Sequence, residues 1–212
     1  MTTPAEERAW WDAAGATEAG AIDAIAADPA AWDGFYLEAS LAQIVPHLDL
    51  SPGSTILDLG CGMGRLMLPL AARYRQVNFF GLDISLKLLR LAAYRTPGIC
   101  TNVSWWHGDG RTLTPGMPTL DGAYSMITFQ HIPREAQAGY LKEIGALLKP
   151  GGVFRFQVRE GTEAVFLSHR VTEEWVKEAC EQAGLNMTSY ERAGAFLSPE
   201  EICPWVTAVR AA

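Results

Sequence analysis

The chain has 212 residues, of which 49% are hydrophobic and 19% are charged, and this composition indicates a folded domain rather than a disordered chain. The formal net charge of −7 argues against nucleic acid as a partner, because proteins that bind polyanions usually have a clustered basic face. No apolar run approaches the ~20 residues that span a bilayer, and the four cysteines form no C-x-x-C pair. The sequence therefore predicts a reduced, cytoplasmic protein without a membrane or nucleic-acid partner.

The N-terminal segment, residues 1–46, is rich in Ala, Asp, Glu and Trp and has helical patterning without a period-2 strand. We predict a helical lead-in there and a main domain over residues 47–212. The lead-in has more aromatic side chains than a surface helix needs, which favours a lid over a substrate pocket, although simple anchoring to the domain explains them equally well. These side chains are Trp10, Trp11, Trp32, Phe35 and Tyr36.

From Ser54 onward, short β-rich runs alternate with amphipathic helical runs. This alternation predicts an α/β fold in which a mostly parallel, doubly wound sheet has helices on both faces. The first five predicted strands are apolar enough to be buried on both sides. In chain order the predicted strands are residues 55–59, 77–82, 103–106, 123–129, 153–158, 185–191 and 205–210.

Two helices are predicted in the first half of the domain. The first follows Gly64 and contains Pro69, which should kink it. Ser85 is the predicted N-cap of the second. The apolar positions of that second helix fall on one face, formed by Leu86, Leu89 and Ala93.

Two further helices are predicted in the second half. Pro133 suits the first turn of one, and Pro150-Gly151-Gly152 should end it before the fifth strand. The last helix should run from Thr172 to Gly184, with acidic residues in its first turn. The residues that the first of these two helices should bury are Tyr140, Ile144, Leu147 and Leu148.

The segment 57–66 joins the first strand to a helix through three alternate glycines. Glycines permit a tight turn and a close approach of the backbone to a ligand. A dinucleotide-binding fingerprint would need glycine or alanine in place of Arg65, and a phosphate-binding loop would need Gly-Lys-Ser/Thr. A nicotinamide-dependent oxidoreductase is therefore disfavoured, although it stays an alternative.

Two acidic residues end the next strands. Asp83 follows the second strand, where its carboxylate can accept hydrogen bonds from both ribose hydroxyls of a nucleoside. Asp109 follows the third strand, where it can accept a hydrogen bond from an adenine amino group. The alternatives are that Asp83 caps a helix and that Asp109 is a turn residue. Because parallel strands end at one edge of a sheet, both acids should face one crevice.

These motifs together resemble the class I S-adenosylmethionine-dependent methyltransferases over roughly residues 51–210. The resemblance implies a seven-stranded sheet whose last strand is antiparallel, S-adenosylmethionine (SAM) as cofactor and S-adenosylhomocysteine (SAH) as product. The motifs are Leu57-Asp58-Leu59-Gly60-Cys61-Gly62-Met63-Gly64, Asp83, Asp109, Asp121-Gly122-Ala123-Tyr124 with Phe129-Gln130-His131-Ile132, and Lys149-Pro150-Gly151-Gly152. The cofactor contacts that it implies are Asp58, Gly60, Cys61, Gly62, Gly64, Asp83, Ile84, Asp109, Gly110, Phe129 and Gln130.

The reaction implied by this resemblance is an in-line displacement that needs no strong protein nucleophile. His131 is a candidate base for a hydroxyl acceptor, although it can equally be part of the lead-in to the next helix. The same resemblance leaves a second function open, namely a non-catalytic regulatory or assembly protein that binds SAM or SAH.

The acceptor is predicted to be a small molecule that is methylated on oxygen or nitrogen. Thr128-Phe129-Gln130-His131 replaces the Asn/Asp-Pro-Pro-aromatic sequence of nucleic-acid amino-methyltransferases. No acid stands between Thr128 and Pro133, so we predict no metal. We expect a monomer or a homodimer. The candidate substrate contacts are Trp32, Tyr36, Arg159 and His169.

Overall fold

Ten strands are described in the computed structural model, which covers residues 3–25, 35–162, 164–165, 168–192 and 202–211. Seven of them form the central sheet, and three short ones form a separate small sheet. The strands are β1 (Thr55–Leu59), β2 (Asn78–Asp83), β3 (Val103–His107), β4 (Leu120–Ser125), β5 (Leu148–Gln157), β6 (Arg159–Glu160), β7 (Ala164–Val165), β8 (Ser168–Val171), β9 (Leu185–Glu191) and β10 (Trp205–Arg210).

The central sheet has the strand order β3-β2-β1-β4-β5-β10-β9. Strands β1 to β5 pair in parallel, whereas β10 runs antiparallel to both β5 and β9. The predicted seven-stranded, mostly parallel sheet with an antiparallel last strand is confirmed. Strands β1 and β4 are neighbours near the centre of the sheet, and the strand order runs outward from them in opposite directions. The loops after these two strands therefore lie in the middle of the sheet edge at which a crevice forms.

Seven α-helices are described along the chain, three of them before β1. None of the helices in the described part of the chain has the length and apolar character to cross a membrane. The helices are α1 (Pro4–Ala14), α2 (Glu18–Ile25), α3 (Phe35–Ile44), α4 (Met67–Arg73), α5 (Leu86–Arg95), α6 (Arg134–Leu147) and α7 (Glu173–Gln182), with short 3-10 turns at Val45–His47 and Phe129–His131. The division into a lead-in and a main domain stays a prediction.

Apolar side chains are buried on both faces of the sheet. In β1, Ile56 and Leu57 are fully buried and belong to different cores, because successive side chains of a strand point to opposite faces. Leu57 packs with residues of α6 and α7, and Ile56 packs with residues of α3 and α4. This two-sided burial accounts for the continuous apolar runs that predicted the strands.

The fourth strand is shorter than the predicted 123–129, because it ends at Ser125. Ile127 has a positive φ of 55°, a conformation that cannot continue an extended strand. Phe129 then falls in the 3-10 turn. Several side chains after Ser125, among them Met126, Ile127 and Thr128, therefore line the crevice instead of continuing the sheet.

The predicted buried face of α5 is wrong by a partial turn. Leu86 is 41% exposed and Ala93 is exposed, whereas Leu88, Leu89 and Ala92 are buried. The turn at Gly15 after α1 packs against Leu88, where a Cβ on Gly15 would lie 2.9 Å from Leu88 Cγ. The lead-in thus covers Leu88, a contact that the pattern within α5 does not reveal. The predicted cap is confirmed, since Ser85 Oγ accepts the Leu88 N–H at 3.2 Å.

The expected kink at Pro69 is also wrong, because α4 begins at Met67. Pro69 is in the first turn, where its missing N–H would have no partner within the helix. The helix before β5 likewise ends at Leu147, which is only partly buried, and Leu148 already belongs to β5. Pro150-Gly151-Gly152 therefore lies within the strand rather than ending the helix.

A fully buried arginine links the sheet to α3. Arg155 donates two hydrogen bonds to Glu191, at 3.0 and 2.9 Å, one to Thr207 Oγ1 at 2.7 Å and one to the carbonyl of Gln43 at 3.0 Å. Its guanidinium lies 5.0 Å from the ring centre of Trp205. The Arg155 hydrogen bonds lower the pKa of Glu191 to about 2. The pair fixes the register of β5 against β9 and β10.

We predict that Glu191→Gln lowers the free energy of unfolding by about 1–3 kcal/mol, because it leaves the buried Arg155 charge without a carboxylate. Urea unfolding at pH 7 measures this change. The matched control is Glu38→Gln, which breaks the exposed pair with Arg73 and should cost under about 1 kcal/mol. Equal losses in both variants would contradict a special role for the buried pair.

Candidate functional site

A pocket opens where the carboxyl ends of β1, β2, β3 and β4 meet. Glu7 and Trp11 of α1 lie across its outer side, and Tyr140 of α6 lines it from below the loop after β3. Of the expected contact residues, those that line the pocket are Asp58, Gly60, Cys61, Gly62, Asp83, Ile84, Gly110 and His131. The structure thus brings together residues from four separate loops.

Two glycines shape the loop after β1. Gly60 has a φ of 79°, donates its N–H to the Leu82 carbonyl at 2.7 Å, and has no room for a Cβ beside the Thr128 side chain. Gly62 has a φ of 55° and open space in front of it. Gly64 instead faces Trp105, outside the pocket lining. The first glycine therefore permits close packing of the loops, and the second leaves backbone accessible to a ligand.

Asp83 connects the glycine loop to the end of β2. Its Oδ2 accepts the N–H of Gly62 at 2.8 Å, and its Oδ1 accepts the N–H of Ser85 at 2.8 Å. Burial raises the pKa of Asp83 to about 6, while these two N–H groups favour the charged form. A buried carboxylate with fixed orientation, lining a pocket and with lone pairs to spare, is suited to accept hydrogen bonds from ligand hydroxyls.

Asp58 is a second buried carboxyl group of the pocket, only 3% exposed. Its Oδ2 accepts the hydroxyl of Tyr124 at 2.9 Å. Burial raises the pKa of Asp58 to about 7, and the negative charge of Asp83 acts in the same direction. The pocket therefore contains two carboxyl groups, those of Asp58 and Asp83, whose protons are bound more tightly than usual.

The carboxylate of Asp109 turns toward its own loop. It accepts the N–H groups of Arg111 and Thr112, both at 2.8 Å, and the Thr112 hydroxyl at 3.0 Å. Burial raises its pKa, but these hydrogen bonds outweigh burial and the net shift is downward. The backbone of Gly108 and Gly110, rather than the Asp109 side chain, lines the pocket.

The 3-10 turn after β4 contains three consecutive residues, Phe129, Gln130 and His131, whose side chains have different surroundings. Phe129 is fully buried, with its ring 5.0 Å from that of Phe156. Gln130 is buried and accepts the Cys203 S–H at 3.6 Å. His131 lines the pocket and packs edge to face against Trp11, with ring centres 5.2 Å apart. Of these three residues, only His131 reaches the pocket.

Helix α1 is fastened over the pocket by charged groups that sequence reasoning missed. The carboxylate of Glu7 accepts two hydrogen bonds from Arg111, at 2.7 and 3.0 Å. Asp12 accepts the hydroxyl of Ser85 at 2.7 Å and the N–H of Lys87 at 3.2 Å. Nothing in the helical pattern of α1 marks Glu7, because its buried state depends on a partner 104 residues away. The lead-in thus contacts the loops after β2 and β3.

Two of the candidate substrate residues, Arg159 and His169, lie away from the pocket lining. Arg159 donates to Ser168 Oγ at 2.6 Å in the small sheet, and His169 lies in β8; neither lines the pocket. Burial lowers the pKa of both side chains. Trp32 lies outside the described residues, and for Tyr36 only the helical backbone of α3 is described.

Residues 56–152 match the family model described as a methyltransferase domain. The matched segment is a little under half of the chain, and over it the chain is similar to methyltransferase domains. It begins in β1 and ends in β5, so it includes the glycine loop, Asp83 and the turn that holds His131.

Among curated proteins, trans-aconitate 2-methyltransferase from Azoarcus sp. strain BH72 is 30% identical over 131 residues, which are 62% of this chain and 48% of that protein. The chain spans about half the length of this relative. Magnesium protoporphyrin IX methyltransferase from Synechocystis PCC 6803, solved with bound SAH, has a TM-score of 0.66 at 17% identity over 83% of this chain and 82% of that one. The [4+2]-cyclase SpnF has a TM-score of 0.69 at 18% identity, over 82% and 81% of the two chains. The fold is therefore shared with enzymes of different reactions.

We predict that Asp58→Asn stabilises the protein at pH 8 and less so at pH 5. The folded-state pKa of about 7 lies above the ordinary 3.8, so the contribution of Asp58 to stability is full below pH 3.8 and is lost as pH rises through about 7. The asparagine stays neutral and keeps an oxygen for Tyr124. The gain should be about 1 kcal/mol or more, or a melting temperature higher by about 2–4 °C.

Thermal unfolding at the two pH values measures this effect. The control is Asp49→Asn, whose carboxylate is exposed and has a pKa lowered by the hydrogen bonds of Ser51. No gain at pH 8 is expected for the control. A melting temperature of Asp58→Asn that is unchanged or lower at pH 8 would show that Asp58 is not an unfavourable buried charge.

Proposed function

We propose that this protein binds SAM in the pocket and transfers its methyl group to an oxygen or nitrogen of a small-molecule acceptor. The observation that supports this proposal most strongly is the fixed carboxylate of Asp83, which is held by the N–H of Gly62 at 2.8 Å and lines the same pocket as the glycine loop. In this proposal, Asp83 would bind the ribose beside an open stretch of backbone. A nucleoside with an amino-acid tail fits such an arrangement.

The pocket residues fit the cofactor at several points. Asp83 would hold the ribose hydroxyls, and the open backbone at Gly62 would lie along the methionine portion. Gly108, Gly110 and Ile84 provide narrow, mainly apolar walls for a flat base. SAM, when bound, supplies a methyl group on a sulfonium centre, so the acceptor needs orientation rather than activation by a protein nucleophile.

The chain's own residues would perform three tasks in the reaction. Helix α1 would exclude water from the pocket through Trp11 and the Glu7–Arg111 pair. The 3-10 turn would present His131, whose Nε2 lies 3.2 Å from Gln130 Nε2, to the acceptor as a candidate base. Trp11, packed edge to face on His131, would fix the orientation of that ring.

The small-molecule nature of the acceptor is supported by the trans-aconitate methyltransferase relative and by the net charge of −7. We extend the proposal to a reaction without a metal, since methyl transfer from a sulfonium requires no Lewis acid, and to a cytoplasmic monomer or homodimer. Trp32, Tyr36, Arg159 and His169 stay candidate acceptor contacts in this proposal.

Calorimetry with SAM and SAH, followed by detection of SAH formation with a panel of hydroxyl, amine and carboxylate acceptors, tests the function. Binding with turnover is the expected outcome. Binding without SAH formation for any acceptor would favour a non-catalytic SAM-binding protein. A thermal shift with NAD but not with SAM would contradict the proposal outright.

We predict that Asp83→Asn weakens SAH binding about tenfold or more, a loss of about 1.4 kcal/mol. The NH2 group of the asparagine would face a hydrogen-bond donor where the carboxylate has an acceptor oxygen, and two donors repel each other. Isothermal titration at pH 7.5 measures the change. The control is Asp121→Asn, which removes a carboxylate that pairs with Lys149 away from the pocket. Its affinity for SAH should equal that of the unmodified protein.

We also predict that SAH affinity is constant above about pH 7 and falls as pH drops through about 6. Protonation of Asp83, whose pKa is raised to about 6, removes acceptor capacity from the ribose site. The measurement is best made in Asp58→Asn, which eliminates the other carboxyl that titrates in the pocket. A flat affinity profile between pH 5 and 8 would exclude an ionised Asp83 from binding.

A further inference from the structure

Tyr140 has a hydroxyl group without an assigned role. The residue lies in α6, is 2% exposed and packs its ring into the core with residues such as Leu113 and Ile132. It also lines the pocket. Within the part of the chain that the structure describes, no group forms a hydrogen bond with this hydroxyl.

The hydroxyl is the part of Tyr140 that reaches the pocket. The described side chains include several polar atoms that are sealed from solvent without a partner, and the Tyr140 hydroxyl is not one of them. Since almost all of the residue is buried, its small accessible surface belongs to the end of the side chain that faces the pocket. A hydroxyl that faces the pocket without a protein partner is available to hydrogen-bond with a ligand.

The surroundings of Tyr140 place it at the nucleobase end of the pocket. The charged groups near its hydroxyl are Asp109, Glu143, Arg111 and Asp83, which belong to α6 and to the ends of β2 and β3. Glu143, one turn further along α6, accepts the N–H of Leu113 at 2.5 Å and so fixes the helix against the loop after β3. Burial, together with these carboxylates, raises the pKa of the phenol, which stays neutral and can both donate and accept.

The other polar side chains at this end are already engaged. Asp109 accepts three hydrogen bonds from its own loop and does not line the pocket. Glu7 lines the pocket but receives both hydrogen bonds of the Arg111 guanidinium. Asp83 is oriented toward the sugar position by Gly62 and Ser85. Tyr140 is therefore the side chain with hydrogen-bonding capacity available to a base.

We infer that the Tyr140 hydroxyl hydrogen-bonds with the edge of the cofactor's nucleobase and determines specificity for that base, in the role that the sequence assigned to Asp109. This inference rests on the proposed function, since it requires that the pocket bind a SAM-like nucleoside. Tyr140 recognises the ligand and takes no part in the transfer of the methyl group. Its position on α6 also makes the helix after β4 part of the cofactor site.

The experiment compares Tyr140→Phe with the unmodified protein by calorimetry, using SAH and S-ribosyl-L-homocysteine, which lacks the base. The variant keeps the ring in the core and removes only the hydroxyl. We expect SAH affinity to fall about tenfold and the affinity for S-ribosyl-L-homocysteine to stay unchanged. The melting temperature of the free variant should stay close to that of the unmodified protein, because the hydroxyl forms no hydrogen bond within the described part of the chain.

The matched control is Tyr190→Phe, which removes another hydroxyl without a partner, on β9 at the far edge of the sheet. Its affinity for both ligands should be unchanged. Equal SAH affinity in Tyr140→Phe and the unmodified protein, or an equal loss for both ligands, would overturn the inference while leaving the proposed function in place. Failure of the unmodified protein to bind SAH would instead remove the proposed function itself.

Discussion

The carboxylate of Asp83 is the contact on which the site depends. Its two hydrogen bonds, from the N–H groups of Gly62 and Ser85, tie the loop after β1 to the end of β2. Burial makes the charge on Asp83 unfavourable and raises its pKa to about 6, although the two N–H groups favour the charged form. Such a shift at the floor of a pocket is expected of a group that is kept for binding.

The same carboxylate connects the pocket to its cover. Ser85, which donates its N–H to Asp83, donates its hydroxyl to Asp12 of α1. Helix α1 then reaches the loop after β3 through the pair between Glu7 and Arg111. A group that binds at Asp83 therefore lies next to Ser85, whose hydroxyl holds α1 through Asp12.

Proteins that share this fold catalyse different reactions. The same sheet supports methyltransferases and a [4+2]-cyclase, so architecture alone does not define the reaction. In this chain, one side of the pocket is built from strand ends. The other side is built from α1 and from the segment between β4 and α6, which contains the strained residue Ile127 and the 3-10 turn. Differences in acceptor between relatives are expected to lie in those less regular parts.

The sequence by itself determined the sheet, the glycine loop and Asp83, because these depend on local patterns: apolar strands, glycines that permit positive φ, and an acid at a strand end. Strands β1, β9 and β10 were predicted with the bounds that the structure has. Tertiary structure alone decided which side chains face the pocket. Asp109 hydrogen-bonds with its own loop and Phe129 lies in the core, while Tyr140 and Glu7 line the pocket, and Glu7 is held there by Arg111, far away in the chain. The reason is physical, since the direction of a side chain after a strand depends on what packs against it, and no local pattern encodes a contact across 104 residues.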